Sequence, residues 1–257
     1  MRPAQQKYPK SLDDLRLLIP RLESLGTQGR VLPFGLSSLD RYLPKGGLAL
    51  DAVHEILPTA VGDTASAFGF LATLLARMPQ SGPILFIASR RALADYGCPH
   101  GHGLNALGLD PARVILVEAG DERQTLWAIE EALRSGVPAA VAGAVGRGID
   151  LKASQRLQLA ARSPGVPLLL FRPAGVEGSS AAVTRWCIGS AEAARDRFGL
   201  VTQWRWHVRL VRCRNGRPGE WLVEWDHVAH RFRLAAAVAD PAFSESAGAS
   251  ILALRAG

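Results

Sequence analysis

Lysine is nearly missing from this chain. It occurs only at positions 7, 10, 45 and 152, so almost every one of the 30 basic residues is arginine. Cysteine is scarce too: Cys98, Cys187 and Cys213 lie far apart and form no CxxC pair. That pattern offers no disulfide framework and fits reduced thiols. No apolar run reaches the ~18 residues a membrane span needs, and the longest, around 65–76, is too short. The opening MRPAQQKYPKSLDD has basic residues but no apolar stretch after them, so no signal peptide is read and a cytoplasmic setting is expected. There is no Gly-x-Ser-x-Gly, no cysteine with a readable histidine base and no internal repeat.

What is present is the composition of a globular protein, 48% hydrophobic and 21% charged over 257 residues. The net charge of +7 is uneven: between Arg195 and Arg233 nine arginines face four acidic residues, which supplies +5 of it. Such a stretch suits DNA or an acidic protein partner, and reads equally as the solvated face of a sheet.

Three regions follow from periodicity. Residues 1–29 read as a helical arm, N-capped by Ser11 and carrying Leu12, Leu15, Leu18, Leu22 and Leu25 on one face. Pro20 falls inside the stripe, where proline kinks or splits a helix. Residues 30–234 alternate apolar runs (84–88, 114–117, 139–145, 166–171) with amphipathic segments near 65–77, 121–135 and 151–162. This predicts an α/β fold, with a mainly parallel sheet of buried strands and helices on both faces. After Gly199 the period drops to two: 204–212, a turn at Asn215-Gly216, and 220–225 form an antiparallel hairpin. Trp204, Trp206, Val208 and Leu210 share one face. Trp204, Trp206, Trp221 and Trp225 read as cross-strand core pairs or, alternatively, as platforms for single-stranded DNA. Arg205, Arg209, Arg212 and Arg214 are then left as an exposed ridge, the candidate contact with a partner or DNA. The Ala-rich residues 235–257 read as a mobile tail.

The segment 33–58, PFGLSSLDRYLPKGGLALDAVHEILP, resembles the start of a RecA-type core, through Gly35, Leu39-Asp40, Gly46-Gly47 and Glu55-Ile56. LKASQRLQLAA (151–161), SAAVTRWCI (180–188) and WRWHVRLVRCRNGRPGEWLVEWD (204–226) follow in the order found in the ImuA family, RecA-like proteins of damage-induced mutagenesis. The chain resembles that family over about 33–233. The resemblance implies a RecA-like core with the C-terminal hairpin attached.

The RecA mechanism then has four positions to fill. A phosphate loop uses backbone N–H groups, a lysine and a hydroxyl that holds Mg²⁺. Here Gly62 and Thr64 remain, but Asp63 stands at the lysine position, where a carboxylate repels phosphate. Arg90 falls where the resemblance implies the catalytic glutamate, Gly143 where it implies the metal-binding aspartate, and Arg172-Pro173 where it implies the γ-phosphate sensor. Gly62 and Thr64 read more simply as a turn and helix cap. The expectation is a degenerate nucleotide site, no cofactor and no enzyme activity. Cys98, His100 and His102 could form a metal clip but read better as a surface loop, so no metal is expected.

The resemblance implies an adaptor in SOS-linked translesion synthesis. The partners it implies are an ImuB-type inactive Y-family polymerase and the alpha subunit of an error-prone replicative-type polymerase, with RecA a further candidate. The arm is expected to dock on a RecA or like protomer, giving self-association, or else to fold back on its own sheet. Two rival readings stay open. One is a degenerate RecA-family ATPase acting on recombinase filaments; the other is a SulA-like inhibitor of cell division.

Overall fold

A computed structural model describes residues 29–79, 82–145, 149–176 and 178–235. The expected arm leucines and nearly all of the tail lie outside the described residues. A small antiparallel pair, β1 (Val31–Leu32) and β2 (Leu48–Ala49), leads into a nine-stranded sheet. The motif between them has a definite structural job. The Asp40 carboxylate, in the short helix α1 (Ser37–Asp40), accepts hydrogen bonds from the N–H groups of Phe34, Gly35 and Leu36 at 2.7, 3.0 and 3.1 Å. Gly35 turns there at φ 77°, a conformation that favours glycine.

In chain order the sheet strands are β3 (Val53–Pro58), β4 (Ile84–Ser89), β5 (Val114–Ala119), β6 (Ala140–Ala144), β7 (Leu168–Phe171), β8 (Thr184–Arg195), β9 (Val201–Cys213), β10 (Gly219–Asp226) and β11 (Arg231–Leu234). Across the sheet they run β11-β10-β9-β8-β3-β7-β6-β4-β5. All pairings from β8 to β5 are parallel, and those from β8 to β11 are antiparallel. The expected α/β architecture with its antiparallel extension is therefore observed.

Helix α2 (Thr64–Ala76) covers one face of the sheet, packing Phe70, Leu71 and Leu74 against Trp186, Trp206 and Trp225. Two short helices, α3 (Arg90–Tyr96) and α4 (Gly101–Ala106), follow β4. On the other face, α5 (Glu122–Ser135) and α6 (Leu151–Arg162) bury Ile129, Leu133 and Leu157 against Val141, Leu168 and Leu170. Each starts on an aspartate cap: Asp121 accepts from Gln124 N at 2.7 Å and Asp150 from Ala153 N at 2.6 Å.

Two expectations need correction. Residues 114–117 form an edge strand, with Ile115 50% and Leu116 43% exposed, because β5 is paired on one side only, by β4. The expected C-terminal antiparallel hairpin is present as β9 and β10. It is joined to the parallel sheet through β8, a twelve-residue strand the periodicity did not predict. Trp204 is 43% exposed, unlike Trp206 and Trp225, and lines an open cavity with Ala65, Phe68 and Gly69 of α2.

The centre of the sheet holds a closed polar chain. His54 Nε2–H donates to the Ala49 carbonyl at 2.7 Å, which leaves Nδ1 to accept from Thr184 Oγ1 at 2.7 Å. Thr184 Oγ1 in turn accepts from Trp186 Nε1–H at 2.7 Å. Complete burial pushes the His54 pKa down to about 4, so the ring is neutral at physiological pH.

Candidate functional site

Strand β3 ends at Pro58, and a single 3-10 turn, Val61–Asp63, leads into α2. This is the position of the expected phosphate loop, and its polar groups are engaged with one another. Asp63 Oδ2 accepts from Ala60 N at 3.0 Å, while Oδ1 accepts from Ser190 N at 2.8 Å and Ser190 Oγ at 2.7 Å. The Thr64 hydroxyl donates to the Val61 carbonyl at 2.7 Å. These bonds, led by that from the Ser190 hydroxyl, hold the Asp63 carboxyl below the usual carboxylate range. The chain thus supplies its own anion at the start of α2. A helix N-terminus stabilises negative charge, but here the charge is covalently attached. Gly62 has a backbone that other residues adopt and open space where a Cβ would go, so nothing in this turn requires glycine.

The other two members of the expected nucleotide site are elsewhere. Arg90 opens α3 at the end of β4, three strand spacings from β3 and so about 14 Å across the sheet. Its exposed side chain donates to Glu118 on the edge strand at 2.9 Å. Gly143 sits mid-strand in β6, and a Cβ there would lie 2.5 Å from Ile129 Cδ1. The missing side chain therefore points at α5, on the face opposite α2. The structure brings Gly62, Asp63 and Thr64 together and separates them from Arg90 and Gly143.

A second polar centre, unread in the sequence, lies on β3 itself. Glu55 is buried on β3 between Arg172, at 2.7 Å, and Arg185 of β8, at 2.7 Å. Burial pushes the Glu55 carboxyl up, but hydrogen bonds from Arg185 and Arg172 outweigh it and hold the group below its ordinary value. Arg172, at the expected sensor position, is 2% exposed and committed to this ion pair. Nothing in spacing alone announces the triad, because its members meet only through β3–β8 pairing and the end of β7.

The arginine ridge divides in two. Arg205 pairs with Glu224 across β9 and β10, at 2.6 Å with both side chains about 85% buried. Arg212 donates to the Ser180 and Ala182 carbonyls, and Arg214 to Ala181 O at 3.3 Å. These two fasten the segment before β8. Burial and the neighbouring Arg185 and Arg214 lower the Arg212 pKa. An exposed ridge of four was expected; Arg205 and Arg212 instead pack and pair, since the cross-strand register sets Glu224 beside one and bare carbonyls beside the other. Arg209 and Arg214 remain exposed, and Arg209 has no ion-pair partner among the described residues.

Around them the sheet face opposite α2 carries no helix over β8–β11 among the described residues. The β8–β9 hairpin beyond Ser190 presents Phe198, Leu200 and Val201 at 71, 64 and 48% exposure. Asp196 fixes that tip by accepting from Phe198 N and Leu200 N at 2.8 and 2.9 Å. Exposed apolar groups clustered at one tip are a feature of a protein contact surface. Leu12, Leu15, Leu18 and Leu22, expected to join such contacts, lie outside the described residues. Among the described residues no group of three or more His, Cys, Asp or Glu is arranged to hold a metal, and no helix is long and apolar enough to cross a membrane.

No family model matches the chain. It is similar to Protein ImuA of two strains of Caulobacter vibrioides, NA1000 / CB15N and ATCC 19089 / CIP 103742 / CB 15. Each is 38% identical over 230 residues, covering 82% of this chain and 91% of the relative. The matched length takes in most of the sheet and the Asp63 turn alike, and on that similarity the chain belongs to the ImuA family.

Proposed function

We propose that this protein is a non-catalytic adaptor of damage-induced mutagenesis, acting in the cytoplasm during SOS-linked translesion synthesis. Family membership supports the process. The observation that carries the non-catalytic reading is the Asp63 carboxylate, bound by Ser190 and Ala60 where a phosphate loop would need a cation. A triphosphate brought there meets a like charge and no free hydroxyl for Mg²⁺, which costs on the order of kcal/mol even in a well-screened site.

The fold then serves its surfaces. The bare face of β8–β11 with Arg209 and Arg214, and the hairpin tip with Phe198 and Leu200, suit a protein contact. The partners proposed are an ImuB-type inactive Y-family polymerase, the alpha subunit of an error-prone replicative-type polymerase, and RecA. Pull-down of each purified partner and of DNA tests the assignment: retention of the ImuB-type protein supports it. Capture of none of the three proteins, with saturable micromolar ATP binding, would instead support a degenerate ATPase.

A further inference from the structure

The described chain begins at Gly29, on the rim of a groove of about 590 Å³. Helix α6 forms one wall, and the turn before β2, β1 and the segment leading into β8 form the others. Two leucines of α6 stand in it uncovered, Leu151 at 44% and Leu159 at 69% exposure. Eight residues apart on one helix, they lie about 12 Å from each other on the same face. Val31, Leu43 and Val183 extend the apolar lining. An apolar row on the outer side of a surface helix needs a cover.

The chain just before Gly29 carries a matching row. As a helix, Leu12 to Leu22 would span about 15 Å. Only residues 26–28 separate Leu25 from Gly29, and four chain steps reach at most about 14 Å. Leu25 is therefore tethered at the rim. Glu23 stands two residues before it, and Arg162 lines the same groove at the end of α6. A tether this short gives its own segment an effective concentration in the millimolar range or above, far beyond that of a second copy at micromolar protein.

We propose that residues 11–28 of the same molecule fill this groove, with the leucine row of the arm against Leu151 and Leu159. The arm is then a cover for its own α6, and it becomes available to another protomer only when displaced.

Limited trypsin digestion of the full chain at Arg16 and Arg21 tests this, because cleavage of a transiently released segment tracks the released population. Leu159→Asp should raise the cleavage rate at both sites roughly tenfold or more, with no dependence on protein concentration and a monomer mass by light scattering. Leu18→Asp, placed on the arm, should do the same. Near-ultraviolet circular dichroism of the buried tryptophans should stay unchanged in both variants, which separates release from unfolding. Equal cleavage in parent and variants overturns the proposal. So does protection that grows with concentration alongside a dimer mass, which would give the groove to a second copy's arm.

Discussion

Asp63 Oδ1 lies 2.7 Å from the hydroxyl of Ser190, a residue 127 positions later in the chain. The bond ties the start of α2 to β8 and engages the carboxylate with the chain's own N–H and hydroxyl groups. Its consequence is tested by titrating the protein with a fluorescent ATP analogue and Mg²⁺. The signal should stay flat into the high micromolar range, and saturable micromolar binding would overturn the closed-loop reading.

The same bond contributes to stability. Asp63→Ala should cost about 1 kcal/mol by denaturant unfolding, the usual size for exposed charge-assisted hydrogen bonds. Because the folded carboxyl titrates below its ordinary value, this contribution is present above about pH 4 and is lost as pH falls through the folded pKa. Gly62→Ala should be neutral within about 0.5 kcal/mol.

His54 sets a second pH dependence. Its folded pKa is about 4 against an ordinary histidine value of 6.5, so the unfolded chain binds the extra proton first. Stability should be full above pH 6.5 and decline toward pH 4 by up to about 3 kcal/mol from this residue. Denaturation curves of the parent and of His54→Gln across that range should converge at low pH. Parallel curves would contradict the assignment.

Glu55→Gln leaves Arg172 and Arg185 facing each other without their anion. Loss of one partner from a buried ion pair typically costs about 3–5 kcal/mol, and melting should shift accordingly. A change of 1 kcal/mol or less would show the cluster to be far better hydrated than its burial implies.

The divided ridge predicts opposite outcomes for neighbouring arginines. Arg209→Glu should leave stability within about 0.5 kcal/mol, while partner binding weakens. If phosphates are the target, the salt slope should fall too. Arg212→Ala, which strips the Ser180 and Ala182 carbonyls of their donor, should cost about 1–3 kcal/mol. Equal effects would erase the distinction between fastening and contact residues.

Gly143→Asp asks whether an aspartate in β6 would rebuild a metal site. Its side chain would enter the Ile129 and Leu170 packing under α5, so the variant should unfold or lose several kcal/mol rather than gain nucleotide binding.

Much of this was readable in advance. Amphipathic periodicity at 121–135 and 151–162 announced α5 and α6, the runs at 84–88, 139–145 and 166–171 announced buried strands, and Asn215-Gly216 announced the turn between β9 and β10, where Asn215 adopts φ 60°. Caps, periods and turns act over a few residues, so spacing carries them. Asp63 stood out because one charge had the wrong sign for a phosphate loop.

The rest depends on which distant segments pair. Strand β8 carries no simple polar–apolar alternation: its first half sets buried Thr184, Trp186 and Ile188 against half-buried Arg185 and Cys187, and its second half projects as a hairpin. Ser190 becomes a partner of Asp63, and Arg185 of Glu55, only once β8 lies parallel to β3 in that register. Sequence alone determined the local elements and set a carboxylate, Asp63, in the turn before α2. The tertiary structure decided that Arg205 and Arg212 are structural, that Arg209 faces solvent, and that Gly143 looks away from Asp63. Strand register sets which side chains face one another, and its hydrogen bonds join residues more than a hundred positions apart.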